Sequence, residues 1–392
     1  MTVRRLRIYS IACVPLSSVE GPATHVRELH EALGDRGVHV TLWLPDLGLR
    51  PRSTIDGVET RLVRVPNISI LRYLIFDVFM FLAMSWDFIR GRRPDVLYLR
   101  QSYSTLLPAI LAWCFRVPMI VEVNGFFEWD LKARNAALPV RVLSKLGERL
   151  SYGVARRIIC VTEGIKEQLD ATYGTTGKTV VVRNGVDVDD FCPLPRDRCR
   201  EELQLTADAI VLGYVGCFTP WDGIGSLVTV APKLLERFPN LQFLLVGDGH
   251  ESDDVRERVR AAGLDERFIF PGFVEPSRLN AFICSFDLAL APYIPGRNAM
   301  GVSSLKCLEY FACGVPAVVG SVPEMGYIES SGGGRLFAAG DDDAFIDTVS
   351  CLLAAMEKLP AMGQQARQYV ESSCTWKRVA TQTYDLLSEL CD

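Results

Sequence analysis

The sequence predicts an α/β protein of two halves, each a doubly wound parallel sheet with helices on both faces. Three observations predict it. The chain has 392 residues, more than the roughly 100–200 of one ordinary domain. Apolar strand-like runs alternate with helical patterns, which lays the strands parallel beneath crossover helices. One segment, NGVDVDDFCPLPRDR at 184–198, breaks the alternation with Asn-Gly, aspartates and prolines and reads as a linker. Domains are expected at 1–185 and 190–374.

The first strand is read in RLRIYSIACV (5–14). Basic residues precede it, as in a secretory leader. The run is short and lacks a small-residue cleavage pattern, so a strand is the reading. HVRELHEALGDRG (25–37) is helical, with Val26, Leu29 and Leu33 on one face and Gly37 as the stop. Strands follow at 38–44, 58–65, 95–99, 118–123, 157–162 and 179–182. Beyond the linker, strands are read at 209–216, 241–247, 267–272, 287–293 and 315–320, with a helix at 225–238. A last helix, roughly Trp376 to Leu390, is expected to pack back on the first half.

Composition narrows the function classes. Hydrophobic residues make up 49% and charged residues 23%, ordinary for a soluble protein with sizeable cores. A net charge of −5 lacks the basic balance of a nucleic-acid binder. The twelve cysteines show no CxxC spacing, which fits a reducing, cytoplasmic compartment. The four histidines show no metal-ligand spacing. Residues 68–90 are the most hydrophobic stretch, but Arg72, Asp77 and Asp87 interrupt it below the roughly 18–20 residues of a spanning helix. A buried helix is the first expectation. Peripheral contact with the inner face of a membrane, through Phe76, Phe79 and Phe81, is the second.

The chemistry concentrates in MGVSSLKCLEYFACGVPAVV (300–319). A helix is expected to start near Ser303 or Ser304, both good N-caps, and to end at Gly314. Lys306 and Glu309, three apart, share a face. Free amides and the helix dipole make an anion site at such a start, and Lys306 adds a charge for a diphosphate. Glu309, a turn deeper, suits two ribose hydroxyls. A surface Lys–Glu pair on an ordinary amphipathic helix gives the same spacing.

This stretch resembles the signature helix of glycosyltransferase family 4, through Glu309, Ala312, Gly314 and Pro316. Five more stretches resemble that family in order: GPATHVRELHEAL (21–33), RNGVD (183–187), LLVGDG (244–249), FPGFVE (270–275) and VPEMGYIESSGGGRLF (322–337). The resemblance implies a GT-B fold, two Rossmann-like domains facing across a cleft. It implies a nucleotide-diphosphate sugar as donor, a hydroxyl acceptor (a sugar or a lipid-linked group), retention of anomeric configuration, and no metal or other cofactor. Surface polysaccharide or glycolipid assembly is the expected setting.

The resemblance assigns Glu309 to the ribose and the amides of Ser303, Ser304 and Leu305 to the β-phosphate. Gly21 and Gly216 let loops approach the donor, and Phe273 and Val274 line the base through their backbone. The sequence departs from the family at three places. Gly301 stands where a second glutamate is usual. Cys217 and Asp222 stand where diphosphate-binding cations are usual, which leaves Lys306 as the substitute.

In the first half, VEVNGFFEWD (121–130) follows a strand. Asn124 stands where many members of the family have the histidine that reaches the transferred sugar. Asn is no general base at neutral pH and is also a common turn residue. Glu122 or Glu128 supplies a carboxylate. Arg100, past the strand at 95–99, is expected on the acceptor side or, equally, as a solvated arginine. Asp187-x-Asp189 imitates a metal motif within the linker, and Asp341–Asp343 suits a helix N-terminus. Two other classes stay open: a sugar-nucleotide 2-epimerase, and a sugar-nucleotide-binding protein without turnover.

Overall fold

The computed structural model describes residues 5–16, 21–48, 54–68, 71–127, 131, 136–295 and 303–391. Glu128 and Gly301 lie outside them. The chain forms two compact units, Met1–Asn184 with Trp376–Asp392, and Gly185–Thr375.

Unit 1 begins with β1 (Arg7–Ile11), α1 (Gly21–Asp35), β2 (His39–Asp46), β3 (Glu59–Arg64) and α2 (Leu71–Ile89). It continues with β4 (Val96–Arg100), α3 (Leu106–Phe115), β5 (Met119–Val123), α4 (Leu138–Val154), β6 (Arg157–Cys160), α5 (Glu163–Tyr173) and β7 (Thr179–Val181). The strands run parallel in the order β3-β2-β1-β4-β5-β6-β7. Every residue of β4 and β5 is buried, which explains why their sequences are apolar except for Arg100 and Glu122 near their carboxyl ends. The registers Ile8↔Val40 and Ile8↔Val96 set β1 between β2 and β4.

The 68–90 stretch contains α2. Phe76, Met80, Met84 and Phe88, one turn apart, are buried. This corrects the expected membrane-facing set: Phe76 is core, while Phe79 is exposed. Asp77 and Asp87, which interrupt the run, are buried too, against Ser104 (Oγ to carboxylate 2.6 Å) and Arg61 respectively. Burial pushes the Asp77 carboxyl up to about 8, against the pull of the Ser104 hydrogen bond. No helix among the described residues is long and apolar enough to cross a membrane.

Unit 2 repeats the plan. A short helix α6 (Arg196–Glu202) begins inside the expected linker. Then come β8 (Ile210–Val215), α7 (Ile224–Arg237), β9 (Leu241–Val246), α8 (Ser252–Ala261), β10 (Phe268–Gly272), α9 (Pro276–Cys284) and β11 (Leu288–Ala291). The last part holds α10 (Leu305–Ala312), β12 (Ala317–Gly320), α11 (Tyr327–Ser330), β13 (Gly334–Phe337), α12 (Asp342–Leu353) and α13 (Leu359–Ser373). The sheet order is β10-β9-β8-β11-β12-β13, again parallel. Asp341 caps α12 by accepting from Ala344 N at 2.9 Å.

The last helix, α14 (Trp376–Ser388), belongs to unit 1 and packs on α1. Both sheets reverse strand order beside their first strand, between β1 and β4 and between β8 and β11. Such switch points hold ligands beyond the carboxyl ends of the strands.

Candidate active site

In unit 2 the switch point is bounded by the residues after β8 and by α10. Ser304 caps α10, its hydroxyl accepting from Cys307 N at 3.4 Å and lying 2.6 Å from the Tyr293 hydroxyl. Gly314, at φ +70°, ends the helix turn. Val215 N, at the end of β8, donates to the Tyr310 hydroxyl at 2.8 Å and ties α10 to that strand. The N-terminus of α10 therefore sits at the switch point, next to Gly216.

Lys306 reaches across this junction. Its Nζ donates to the Tyr214 hydroxyl at 2.6 Å and to Asp222 at 3.2 Å, and it lies 4.2 Å from the Tyr214 ring centroid. Asp222 is 3% exposed and also accepts from the Thr219 hydroxyl. The residue that stands where a cation was expected is thus an anion paired with Lys306. Gly216 leaves room for the amine: at φ +144°, a Cβ there would meet Lys306 Nζ at 2.8 Å. Gly223 has a harder constraint, since its Cβ would fall 2.0 Å from Pro292 O. Two loop backbones touch there.

Glu309 lies one turn further along α10 and is half-buried. Among the described residues its carboxylate has no hydrogen-bond partner. Dense protein around it pushes its pKa up to about 7, with Lys306 pulling the other way. Ser303 and Leu305 are half-buried at the same helix start. Phe273, just after β10, is 55% exposed, and Val274 packs against the core. Cys217 is exposed.

In unit 1 the expected residues converge on one buried carboxylate. Glu122, on β5, is 1% exposed. It accepts from His25 Nε2 at 3.0 Å, from the Tyr98 hydroxyl, from Arg100 and from Asn124 Nδ2. Burial alone would raise this carboxyl. Attraction to His25 and Arg100, with hydrogen bonds from His25 and Asn124, overrides it and holds the group well below the usual carboxylate range. With its oxygens engaged from four sides, Glu122 is a fixed anion. Arg100, the last residue of β4, is buried in this network, which removes the solvated alternative. Since Asn124 turns its Nδ2 to Glu122, its Oδ1 is aimed elsewhere. Gly21 is exposed at the first position of α1.

Sequence reasoning missed His25, Tyr98 and Asn184. His25 Nδ1 lies 2.8 Å from Asn184 Oδ1, and its ring meets Trp376 edge-on at 5.2 Å. Both His25 and Asn184 stand inside GPATHVREL and RNGVD, so the signal was present but not read as chemistry. Nearby, His30 lies 2.6 Å from Ser10 through Nε2 and 2.6 Å from Val26 O through Nδ1. Burial lowers its pKa to about 4, so it is the neutral Nδ1-H tautomer that Val26 O requires.

The metal imitation dissolves: Asp187 accepts from the backbone of Asp189 and Asp190 at 2.7 and 3.0 Å, a local turn. Among the described residues no three His, Cys, Asp or Glu side chains assemble as a metal set.

The family model described as Glycosyltransferase Family 4 matches residues 19–190, and that described as Glycosyl transferases group 1 matches residues 209–355. A D-inositol 3-phosphate glycosyltransferase of Kribbella flavida is 27% identical, over 94% of this chain and 92% of its own length. The structure of sucrose-phosphate synthase from Thermosynechococcus elongatus matches with a TM-score of 0.78 at 20% identity, over 98% of this chain and 99% of its own. Anabaena HepE, solved in complex with UDP, matches with a TM-score of 0.75 at 16% identity, over 98% and 100%. Two parallel-sheet units, family models matching residues 19–190 and 209–355, and the fold match over 98% of the chain place it in glycosyltransferase family 4, as a glycosyltransferase of GT-B fold.

Proposed function

We propose that this glycosyltransferase takes its sugar from a nucleotide-diphosphate sugar held by unit 2, and passes it with retention of configuration to a hydroxyl acceptor served by unit 1. One observation carries the donor site: among the described residues Glu309 presents a carboxylate without a hydrogen-bond partner, one turn from a helix start where Lys306 Nζ rests over Gly216. A ribose fits the carboxylate. The diphosphate fits the α10 amides and the amine, which stabilise the charge that develops on the leaving group. These groups supply the stabilisation without a metal. The UDP bound by the Anabaena relative supports a nucleotide donor, and the name of the Kribbella relative points to a cyclitol phosphate as one acceptor class.

In this reading Glu122 is a positioning residue that orients Arg100, Asn124 and His25 toward the acceptor. No covalent nucleophile is assigned.

The test is a thermal-shift screen against UDP, GDP, ADP, dTDP and CDP with EDTA present, repeated on Glu309→Ala and Lys306→Ala. Stabilisation by one nucleotide, lost in both variants, is expected. No stabilisation of the folded wild-type protein by any of the five removes the donor site from α10.

A further inference from the structure

Among the described residues, fourteen large apolar side chains stay exposed, and ten of them sit on three consecutive helices: six on α2, one on α3 and three on α4. On α2, Val78, Leu82, Trp86 and Ile89 recur every three or four residues, away from the buried Phe76, Met80, Met84 and Phe88. On α4, Leu138, Val142 and Leu146 repeat every fourth residue. Arg141, Lys145 and Arg149 repeat at the same interval one position earlier in each turn, so a basic column runs beside an apolar one. Helix α3 packs against both α2 and α4 and carries Trp113, 71% exposed. The three helices form one layer.

The charges of this layer are sorted. Its acids are buried: Asp77 at Ser104, Asp87 at Arg61, Glu148 at Gln101 and Tyr173. Its cations face out: Arg90, Arg92 and Arg93 after α2, Arg116 after α3, and Lys145 and Arg149 on α4. The guanidinium of Arg90 lies 4.2 Å above the exposed Trp86 ring, an apolar body with a charged tip. All this belongs to a chain of net charge −5. A second copy docked on the same face would set basic column against basic column, which like-charge repulsion opposes. An anionic bilayer surface meets both columns at once, apolar side chains at the acyl boundary and cations among the headgroups.

We propose that the α2–α3–α4 layer of unit 1 docks this protein on the surface of a bilayer carrying anionic lipid. It lies on the membrane without spanning it. The proposal stands independently of which donor or acceptor the enzyme uses.

The experiment is co-sedimentation of the full chain with phosphatidylcholine vesicles, with and without phosphatidylglycerol. Binding to the anionic vesicles is expected to be about tenfold or more tighter, and weakened by high salt. Two outward-facing triple variants, Leu82→Ser with Trp86→Ser and Ile89→Ser, and Arg90→Gln with Lys145→Gln and Arg149→Gln, should each weaken it by about tenfold with melting unchanged. Equal binding to both vesicle types, or variants that bind like the wild type, overturns the proposal. So does an apolar variant that turns a concentration-dependent dimer into a monomer without altering vesicle binding, since a second copy would then cover the face. If a triple variant fails to fold, Trp86→Phe with Trp113→Phe decides. The wild-type fluorescence should shift to the blue on anionic vesicles and the double variant's should not; no wild-type shift overturns docking through this layer.

Discussion

The two units hold a carboxylate near the switch point of their sheets in opposite states, one on a strand and one on a helix. In unit 1 the groups at the carboxyl ends of β4 and β5 are closed on one another: Glu122 is 1% exposed and held by His25, Tyr98, Arg100 and Asn124. In unit 2, Glu309 is half-buried with no hydrogen-bond partner among the described residues. A satisfied buried network orders the protein, and breaking it costs stability. Under the proposed function the partner of Glu309 is a ligand, and removing the carboxylate costs binding rather than stability. The fold repeats, and the wiring of the two carboxylates differs.

The largest effect that tests this contrast is at Glu122. Glu122→Gln leaves Arg100 buried beside a neutral amide and should cost about 3–5 kcal/mol, read by denaturant unfolding. A loss under about 1 kcal/mol would mean that the cluster is not clamped.

The next is acid sensitivity. His30 is neutral when folded, with a pKa lowered to about 4 by burial. The unfolded chain takes up a proton near its ordinary value of about 6.5, so this contribution is fully present above that pH. It should fall away as the pH drops toward 4, by about 3 kcal/mol in all. His30→Gln should flatten the stability profile between about pH 6.5 and 4.5.

Glu309 should show the opposite phenotype. Glu309→Ala is expected to melt like the wild type and to bind the preferred nucleoside diphosphate about ten- to a hundredfold more weakly, by titration calorimetry. With a pKa raised to about 7 by burial, the wild-type carboxyl is ionised above that pH and neutral below it. Affinity should therefore rise between pH 6 and 8, by up to about tenfold, and Glu309→Gln should lose that slope.

The smallest effect belongs to Asp222. Asp222 pairs with Lys306, so if Lys306 meets a diphosphate as proposed, Asp222→Asn should tighten its binding by about 1 kcal/mol, the worth of one screened charge. Weaker binding would show that Asp222 acts chiefly by aiming the amine.

The sequence made the sheets legible because a strand buried on both faces reads as a largely apolar run, continuous in β8 and broken only by Arg100 in β4 and Glu122 in β5. It also made the α10 cap legible, because Ser304 and Gly314 are local requirements of helix ends. What it hid were contacts between distant residues. His25 and Glu122 are far apart in sequence, and Asn184 further still, so nothing local told that they share a network. Arg100 and Asp222 were hidden for the same reason: whether a charge is solvated or paired depends on what folds over it. The Phe76 error has a simpler origin. In a helix as apolar as α2, composition does not say which stripe faces the core; Asp77 and Asp87, read as interruptions, lie on the inner side.

The route of the chain gives unit 2 an unusual standing. Its two ends pair with each other, Val186 with Thr375, with Val186 N donating to Cys374 O at 2.8 Å. Unit 1 takes its final helix from beyond that pair. During synthesis the ribosome therefore finishes the whole of unit 2 before it delivers Trp376, the residue whose ring meets His25 edge-on. Unit 2 can fold as a closed insert while its host is incomplete. The polar cluster around Glu122 gains the Trp376 ring beside His25 only when α14 arrives, so the sheet of unit 2 is fully synthesised before that cluster can be complete.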